Sequence, residues 1–155
     1  MAEARLKNRV LGKERVVKDP AIARFLTTSP LASLIWLPLR LWLGWQWLDA
    51  GLHKVNNAAW VNGGEALRGF WTGAVAIPEG GRPTIAFDWY RNFIQSMLDA
   101  EAYTWFGPLV AYGETLIGIA LIVGAFTGIA AFFAGFMNWN FIMAGAASTN
   151  GLLFA

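Results

Sequence analysis

Residues 31–52 read LASLIWLPLRLWLGWQWLDAGL, and this stretch decides the fold. It follows Ser29-Pro30, a pair typical of helix starts, and its only charged residues are Arg40 and Asp49. A helix of about 22 residues is long enough to cross a hydrocarbon core of roughly 30 Å. We therefore predict a first membrane-spanning helix over about 31–52.

The composition of the whole chain agrees with a membrane protein. Of its 155 residues, 56% are hydrophobic, nine are Trp, and only 14% are charged, against roughly 25% charged in soluble domains. This excludes a soluble enzyme. With no Cys and a single His, the chain lacks thiolate ligands and bis-histidine haem ligation. We expect no catalytic residue, no metal site and no redox cofactor of its own.

Two further spans are predicted, over about 105–126 and 128–147. The turn at Thr127-Gly128 is so short that these two helices must run antiparallel. A fourth apolar segment begins at Leu152, and the sequence ends at Ala155. We therefore expect an all-α, antiparallel four-helix membrane bundle whose fourth helix is largely missing from the sequence.

Residues 55–104 are too polar to span a membrane, yet they are rich in aromatic residues. Glycine-rich breaks divide them into short helices, and we predict an external helical cap on the bundle. One cap helix is predicted over 86–99. Its predicted packing face consists of Phe87, Trp89/Tyr90, Phe93 and Met97.

Basic residues are concentrated at the N-terminus, where residues 1–30 hold seven Lys or Arg against three acidic residues. The positive-inside rule then predicts a cytoplasmic N-terminus. We divide the chain into a basic amphipathic segment, 1–28, and a membrane domain, 29–155. Because the basic segment adjoins a span, anionic lipids are its expected partner and nucleic acid is not.

Ionisable residues inside a span are costly and are candidates for functional sites. Arg40 and Glu114 each lie about 14 Å from opposite ends of antiparallel spans, so we predict an ion pair near the bilayer midplane. Asn138 is predicted as a third partner, with Trp47 on the same inward face of the first helix, while Asn140 is predicted to point the other way. The group is either a quinone or proton site or a polar network that only fixes packing.

Small residues mark the inward face of each predicted span, because close helix approach in lipid requires them. At the outer end of the first span, His53 and Lys54 are candidates for a ligand or a hydrogen-bond donor to a quinone. The alternative is that both residues lie at the membrane interface and have no functional role. The predicted inward stripes are Arg40, Gly44, Trp47, Gly51 and Lys54 on the first helix, Gly107, Ala111, Glu114, Gly118 and Ala125 on the second, and Ala131, Ala134, Gly135, Asn138 and Gly145 on the third.

Three stretches resemble the DoxX family of membrane proteins. They are residues 39–54 (LRLWLGWQWLDAGLHK), residues 112–128 (YGETLIGIALIVGAFTG), and residues 137–141 (MNWNF) with Ala144-Gly145 and Ser148-Thr149-Asn150. The resemblance implies a multi-pass, four-helix bundle in the cytoplasmic membrane of a bacterium or archaeon, with both termini cytoplasmic. It extends over residues 31–155.

Members of that family include a subunit of an archaeal thiosulfate:quinone oxidoreductase, which this sequence resembles, and a mycobacterial membrane anchor. We therefore expect an accessory or quinone-facing membrane subunit of a respiratory, sulfur-oxidising or photosynthetic electron-transfer complex. Its partners would be larger redox subunits, and quinone would be its only cofactor. The alternative is an assembly subunit with no chemistry of its own, and a small-solute transporter is a weaker third possibility because broken helices are lacking.

Overall fold

The computed structural model of the protein describes residues 20–146, and this part of the chain is entirely helical apart from its connections. The all-α prediction is thus confirmed. Most of the basic segment, the residues 148–150 of the third motif and the predicted fourth apolar segment lie outside the described residues. The helices are α1 Ala21–Thr28, α2 Ser33–Val55, α3 Ala58–Val61, α4 Glu65–Val75, α5 Asp88–Asp99, α6 Tyr103–Val123 and α7 Thr127–Met143, with a 3₁₀ turn at Pro30–Ala32.

The chain divides into two compact units, residues 1–37 and residues 38–155. In the described part of the first unit, α1 ends at Thr28 and Pro30 opens the 3₁₀ turn. The Ser29 hydroxyl caps this turn by accepting a hydrogen bond from the Leu31 amide at 3.3 Å. The Trp36 indole N–H donates to the Leu26 carbonyl at 2.9 Å, so a tertiary hydrogen bond joins the two sides of the turn.

In the second unit, α2 and α6 pack closely through glycines. A Cβ atom on Gly44 would lie 2.9 Å from the Ile122 side chain, and one on Gly51 would lie 2.5 Å from the Thr115 amide. Gly118 lies equally close to the backbone of Leu48. The helices therefore touch along their backbones, which is the role that small residues have in membrane helix pairs.

The α6–α7 hairpin turns through two residues with left-handed backbone, Gly124 (φ 79°) and Phe126 (φ 51°). Gly124 ends α6, and its amide donates to the Ala120 carbonyl at 2.9 Å, the usual device for stopping a helix. The antiparallel prediction for this pair follows directly from the short turn. Between α2, α6 and α7 lies an apolar cluster of Trp47, Ile117, Leu121, Ala130 and Ala134.

Helices α3, α4 and α5, which we call the cap, lie where α2 ends, α6 begins and α7 ends. Their apolar faces form a second core with the start of α6 and the end of α7. This core also holds Ile85, from the connection between α4 and α5, which is fully buried. Its members are Leu67, Trp71, Ala74, Ile85, Tyr90, Ile94, Ala102, Tyr103 and Ala144.

The predicted packing face of the last cap helix was correct for Tyr90 and Met97, which lie in or against the core, and wrong for Phe87, Trp89 and Phe93, which are about half exposed or more. A helix does form, at Asp88–Asp99, but its buried residues are Tyr90 and Ile94. Trp89 is 60% exposed and Phe93 49% exposed. Because neighbouring residues point about 100° apart on a helix, the paired apolar positions 89/90 and 93/94 left two faces open, and the structure buries the second residue of each pair.

One helix of the described part, α6, is long and apolar enough by itself to cross a membrane. The segments Ala21–Thr28 and Pro30–Val55 meet the same criteria only when taken together across a sharp bend. Helix α7 has 17 residues in the described chain, at the lower end of the lengths that span a bilayer. The three predicted spans correspond to α2, α6 and α7, and a multi-pass, four-helix bundle stays a prediction.

Candidate functional site

Glu114 is the most deeply buried charged residue among residues 20–146, at 2% exposure. The Lys54 ammonium donates to its Oε2 atom at 2.6 Å. Lys54 is 20% exposed and lies over the Trp60 ring, with its nitrogen 5.2 Å from the ring centre. A carboxylate on α6, an ammonium on α2 and an indole on α3 therefore form one compact charged site.

The predicted partner of Glu114 was Arg40, and the structure gives this place to Lys54. The reason is the register of α2 against α6. In the three glycine contacts Gly44–Ile122, Leu48–Gly118 and Gly51–Thr115, the residue numbers add to 166 each time. Lys54 is then level with residue 112, and Arg40 with residue 126, which is twelve positions or about 18 Å along the helix from Glu114.

Arg40 instead lies at the far end of α6. A Cβ atom on Gly124 would be 3.0 Å from its Nη1 atom and 3.1 Å from its Nη2 atom, so the guanidinium packs directly on this glycine. A cation at a helix C-terminus is favoured by the partial negative charge of the last carbonyl groups. The prediction of an Arg40–Glu114 pair was thus correct about the helix faces and wrong about depth.

The other predicted site residues are placed as follows. Asn138 is 2% exposed on α7, and Trp47 is 6% exposed within the cluster between α2, α6 and α7. The His53 ring is 78% exposed, and its Nδ1 atom is 2.8 Å from the Asp49 carbonyl, one turn back on the same helix. His53 and Lys54 are therefore neighbours in sequence with different environments, one largely in solvent and one in the buried pair.

A cavity of about 330 Å³ lies between the cap and the α6–α7 hairpin. Its polar groups are the Tyr90 hydroxyl, which lies 3.1 Å from both the backbone and the side-chain oxygen of Asn140, and the Asn140 amide. The Asn140 amide nitrogen donates to the Phe136 carbonyl at 2.8 Å. The rest of the wall is apolar and largely aromatic, formed by Leu67, Phe70, Trp71, Phe93, Ile94, Met97, Phe106, Val110, Phe136, Met137, Phe141 and Ala144.

A second cavity, of about 340 Å³, continues along α6 and α7 from the first. The two share part of their walls, and the second has almost no polar surface. Its residues are Phe106, Leu109, Val110, Gly113, Leu116, Ile117, Phe133, Phe136 and Met137. The two cavities share four lining residues, and the hydrogen-bonding side chains Tyr90 and Asn140 line only the first.

These cavities are lined by residues that were not predicted from the sequence as site residues. Tyr90 was predicted as a packing residue, and Asn140 was predicted to point away from the bundle, where the structure shows it bonded to the cap. Neither cavity is lined by Arg40, Glu114, Asn138 or Trp47. The sequence did contain one sign of this site, an Asn in the last turns of an apolar helix. Its hydrogen-bond partner, Tyr90, lies 50 residues away in sequence, so the pair could not be predicted.

Burial raises the pKa of the Tyr90 phenol above its ordinary value of 10.0, because the cavity disfavours a phenolate. Tyr90 is therefore a neutral hydrogen-bond donor throughout the physiological pH range. The polar end of the cavity thus presents an O–H and an amide, and no net charge.

A family model described as DoxX matches residues 35–147, which is most of the chain and includes most of α2, the cap, α6 and α7. No curated protein and no solved structure matches the chain.

Proposed function

The chain belongs to the DoxX family of membrane proteins, and on that premise we propose that it is a quinone-facing membrane subunit of an electron-transfer complex. The observation that carries the proposal is the cavity under the cap. At about 330 Å³ its volume is at the lower end of small-molecule sites, which are mostly apolar and hold a few placed polar groups.

The chemistry of the cavity suits a quinone head group. A quinone ring is flat and apolar on its faces, and it accepts hydrogen bonds only at its carbonyl oxygens. Aromatic side chains such as Trp71, Phe93 and Phe106 supply flat walls, and the Tyr90 hydroxyl supplies a donor. The Tyr90 hydroxyl donates to Asn140, so this donor already has a partner within the chain.

The second cavity suits the tail of the same molecule. Its walls are apolar throughout, and it adjoins the first through Phe106, Val110, Phe136 and Met137. A lipophilic tail would gain about 0.8 kcal/mol for each methylene group buried from water, and less from lipid. We therefore assign the head group to the cap end and the tail to the α6–α7 crossing.

We assign electron transfer to and from the quinone to the partner subunits. The chain has no Cys and a single His, so we assign the redox centre to a partner subunit. Its role would be to hold the quinone near a redox group of a larger subunit. Quinone is accordingly the only cofactor proposed, and larger redox subunits are the proposed partners.

The alternative function is that of an assembly subunit without chemistry. One observation favours it, namely the exposed aromatic residues of α2, among them Trp42 at 52% and Trp45 at 59%. Aromatic residues are enriched at the centres of protein interfaces. In a membrane, however, the same side chains can face lipid, so this observation discriminates less than the cavity does.

The deciding experiment is to measure quinone in the purified host complex. Gly113 lines the second cavity, and a Cβ atom there would lie 3.8 Å from Met137, an ordinary contact. Gly113→Leu should therefore fill the cavity without moving the backbone. Gly69→Leu is the matched control, because a Cβ at Gly69 meets nothing within 4 Å.

The complex would be purified from native membranes with each variant, extracted with solvent, and assayed for quinone per chain. We expect quinone in the wild type and in Gly69→Leu, and its loss in Gly113→Leu with the complex still assembled. Equal quinone in all three samples, or none in the wild type, would refute the quinone site. An intact, quinone-free wild-type complex would support the assembly function.

A further inference from the structure

Arg40 carries a permanent charge for which the described chain supplies no carboxylate. Its Nε atom is buried without a hydrogen-bond partner among residues 20–146. The one carboxylate on α6, Glu114, is engaged by Lys54. Glu114 is also ten residues from Gly124, on which Arg40 lies, or about 15 Å along the helix.

The surroundings of Arg40 contain no other acidic group in the described residues. Residues 20–48 and 115–146 include no Asp or Glu. The guanidinium packs on Gly124 at the C-terminal end of α6, but a helix end contributes only about half a negative charge. Arg40 is partly buried and its Nε atom has no hydrogen-bond partner among residues 20–146, so an anion from outside the described chain would be favoured beside it.

The position of Arg40 indicates what kind of anion is available. Gly124 terminates α6, the helix that is long and apolar enough to cross a membrane. The end of such a helix lies at the depth of the lipid headgroups. The Gly124 position has no side chain, so the guanidinium packs against it with Nη1 and Nη2 as the nearest atoms. The N–H groups of these two atoms are the ones that a phosphate would contact.

We propose that Arg40, packed on Gly124 at the end of α6, binds the phosphate group of an anionic phospholipid. Guanidinium binds phosphate through two parallel N–H···O bonds, a geometry that an ammonium group cannot reproduce. The site is separate from the apolar cavities and does not depend on the proposed quinone function. It is also distinct from lipid attraction by the basic N-terminal segment, because it involves one phosphate at one side chain.

The test is native mass spectrometry of the full chain, with phosphatidylglycerol added at increasing concentration. We expect Arg40→Gln to weaken the tightest lipid adduct roughly tenfold to a hundredfold, as for loss of hydrogen bonds to a charged group. Arg82→Gln is the control, since it removes an equal charge from the connection between α4 and α5. It should leave that adduct unchanged.

Three results would overturn the proposal. The first is equal affinity for phosphatidylglycerol in wild type and Arg40→Gln. The second is displacement of the lipid by millimolar inorganic phosphate, which would identify a free-phosphate site. The third is lipid binding that begins only after Glu14 and Asp19 are neutralised, because a carboxylate of the chain would then occupy Arg40.

Arg40→Lys keeps the test decisive if Arg40→Gln does not fold. This variant keeps the charge and loses the forked geometry. We expect it to fold and to bind phosphatidylglycerol more weakly than wild type, and unchanged affinity would contradict the bidentate phosphate contact.

Discussion

The Lys54–Glu114 pair gives the sharpest test of the register between α2 and α6. Two unit charges 2.6 Å apart attract by about 6 kcal/mol at an effective dielectric constant of about 20. Much of this offsets the cost of removing both groups from water. Deleting one member of a buried pair nevertheless costs roughly 3–5 kcal/mol, because the other charge is stranded.

The burial of the two partners predicts which single substitution is worse. Lys54→Met strands Glu114, which is 2% exposed, whereas Glu114→Leu strands Lys54, which is 20% exposed and can turn toward water. We therefore expect Lys54→Met to lower the free energy of unfolding more than Glu114→Leu does. The double variant should be more stable than Lys54→Met, because no charge is left stranded.

The assay is unfolding of the purified protein in mixed micelles, followed by helical circular dichroism, for each single variant and for the pair. The coupling energy between Lys54 and Glu114 should be at least about 1.5 kcal/mol, within the range for residues in contact. A second cycle, with Arg40→Met and Glu114→Leu, should give less than about 0.5 kcal/mol, as for separated sites. A larger coupling for Arg40 than for Lys54 would refute the register.

Three further predictions concern packing and the cap. Gly118→Ala should destabilise the protein by roughly 1–3 kcal/mol, because its Cβ atom would collide with the Leu48 backbone. Gly135→Ala has open space around its Cβ atom and should be neutral or stabilising by up to about 1 kcal/mol. Equal effects of the two variants in thermal unfolding would contradict the α2–α6 contact. Ile94→Lys should prevent folding of the cap, because Ile94 is buried, whereas Gln95→Lys should be tolerated. Limited proteolysis that cuts both variants equally would argue against the observed packing face of the cap. Burial raises the pKa of the Tyr90 phenol, so its neutral form stabilises the fold fully below the unfolded pKa of about 10, and this contribution is lost as the pH rises through the folded pKa. Titration followed at 295 nm should show that wild type loses its last phenol proton at a higher pH than Tyr90→Phe does. Superimposable curves above about pH 10, scaled for the missing phenol, would refute this.

The inward faces of α2 and α6 could largely be predicted from sequence, whereas the predicted inward residues Ala125, Ala131 and Gly145 are exposed and α7 buries Ala130 in place of Ala131. Gly44 and Gly51 on α2 and Gly118 on α6 are buried as the stripes of small residues indicated. This worked because the 3.6-residue period of a helix is a local property. Close backbone contact in lipid also requires small residues on the contacting face, so the pattern is imposed on the sequence.

The depth of one helix against another could not be predicted in the same way. Each stripe allows several registers, because a sliding helix can place any of its small residues opposite any of its partner's. The prediction of an Arg40–Glu114 pair assumed that both spans are centred on the same bilayer plane. The cap overturns that assumption, because α6 extends beyond the level of Val55 to meet α3 and α4, and this shifts the pairing toward Lys54.

The polar end of the cavity depends on contacts between residues distant in sequence. Tyr90 and Ile94 are buried because they pack against α7 and the start of α6, whereas Trp89 and Phe93 are not. No local pattern encodes that choice, since both faces of α5 are apolar enough to pack. The helix itself was predictable, and its rotation was not.

The positions on α6 separate the charged pair from the apolar cavities. Glu114 and Gly118 point toward α2, whereas Gly113 and Ile117 line the space toward α7, about 100° away around the same helix. A proton relay from Glu114 to a quinone in the cavity would have to pass through the body of α6. The pair is therefore better explained as the contact that fixes α2 and α3 against α6. This leaves the α7 side of α6 to the proposed quinone site, whose hydrogen-bonding groups, Tyr90 and Asn140, carry no charge.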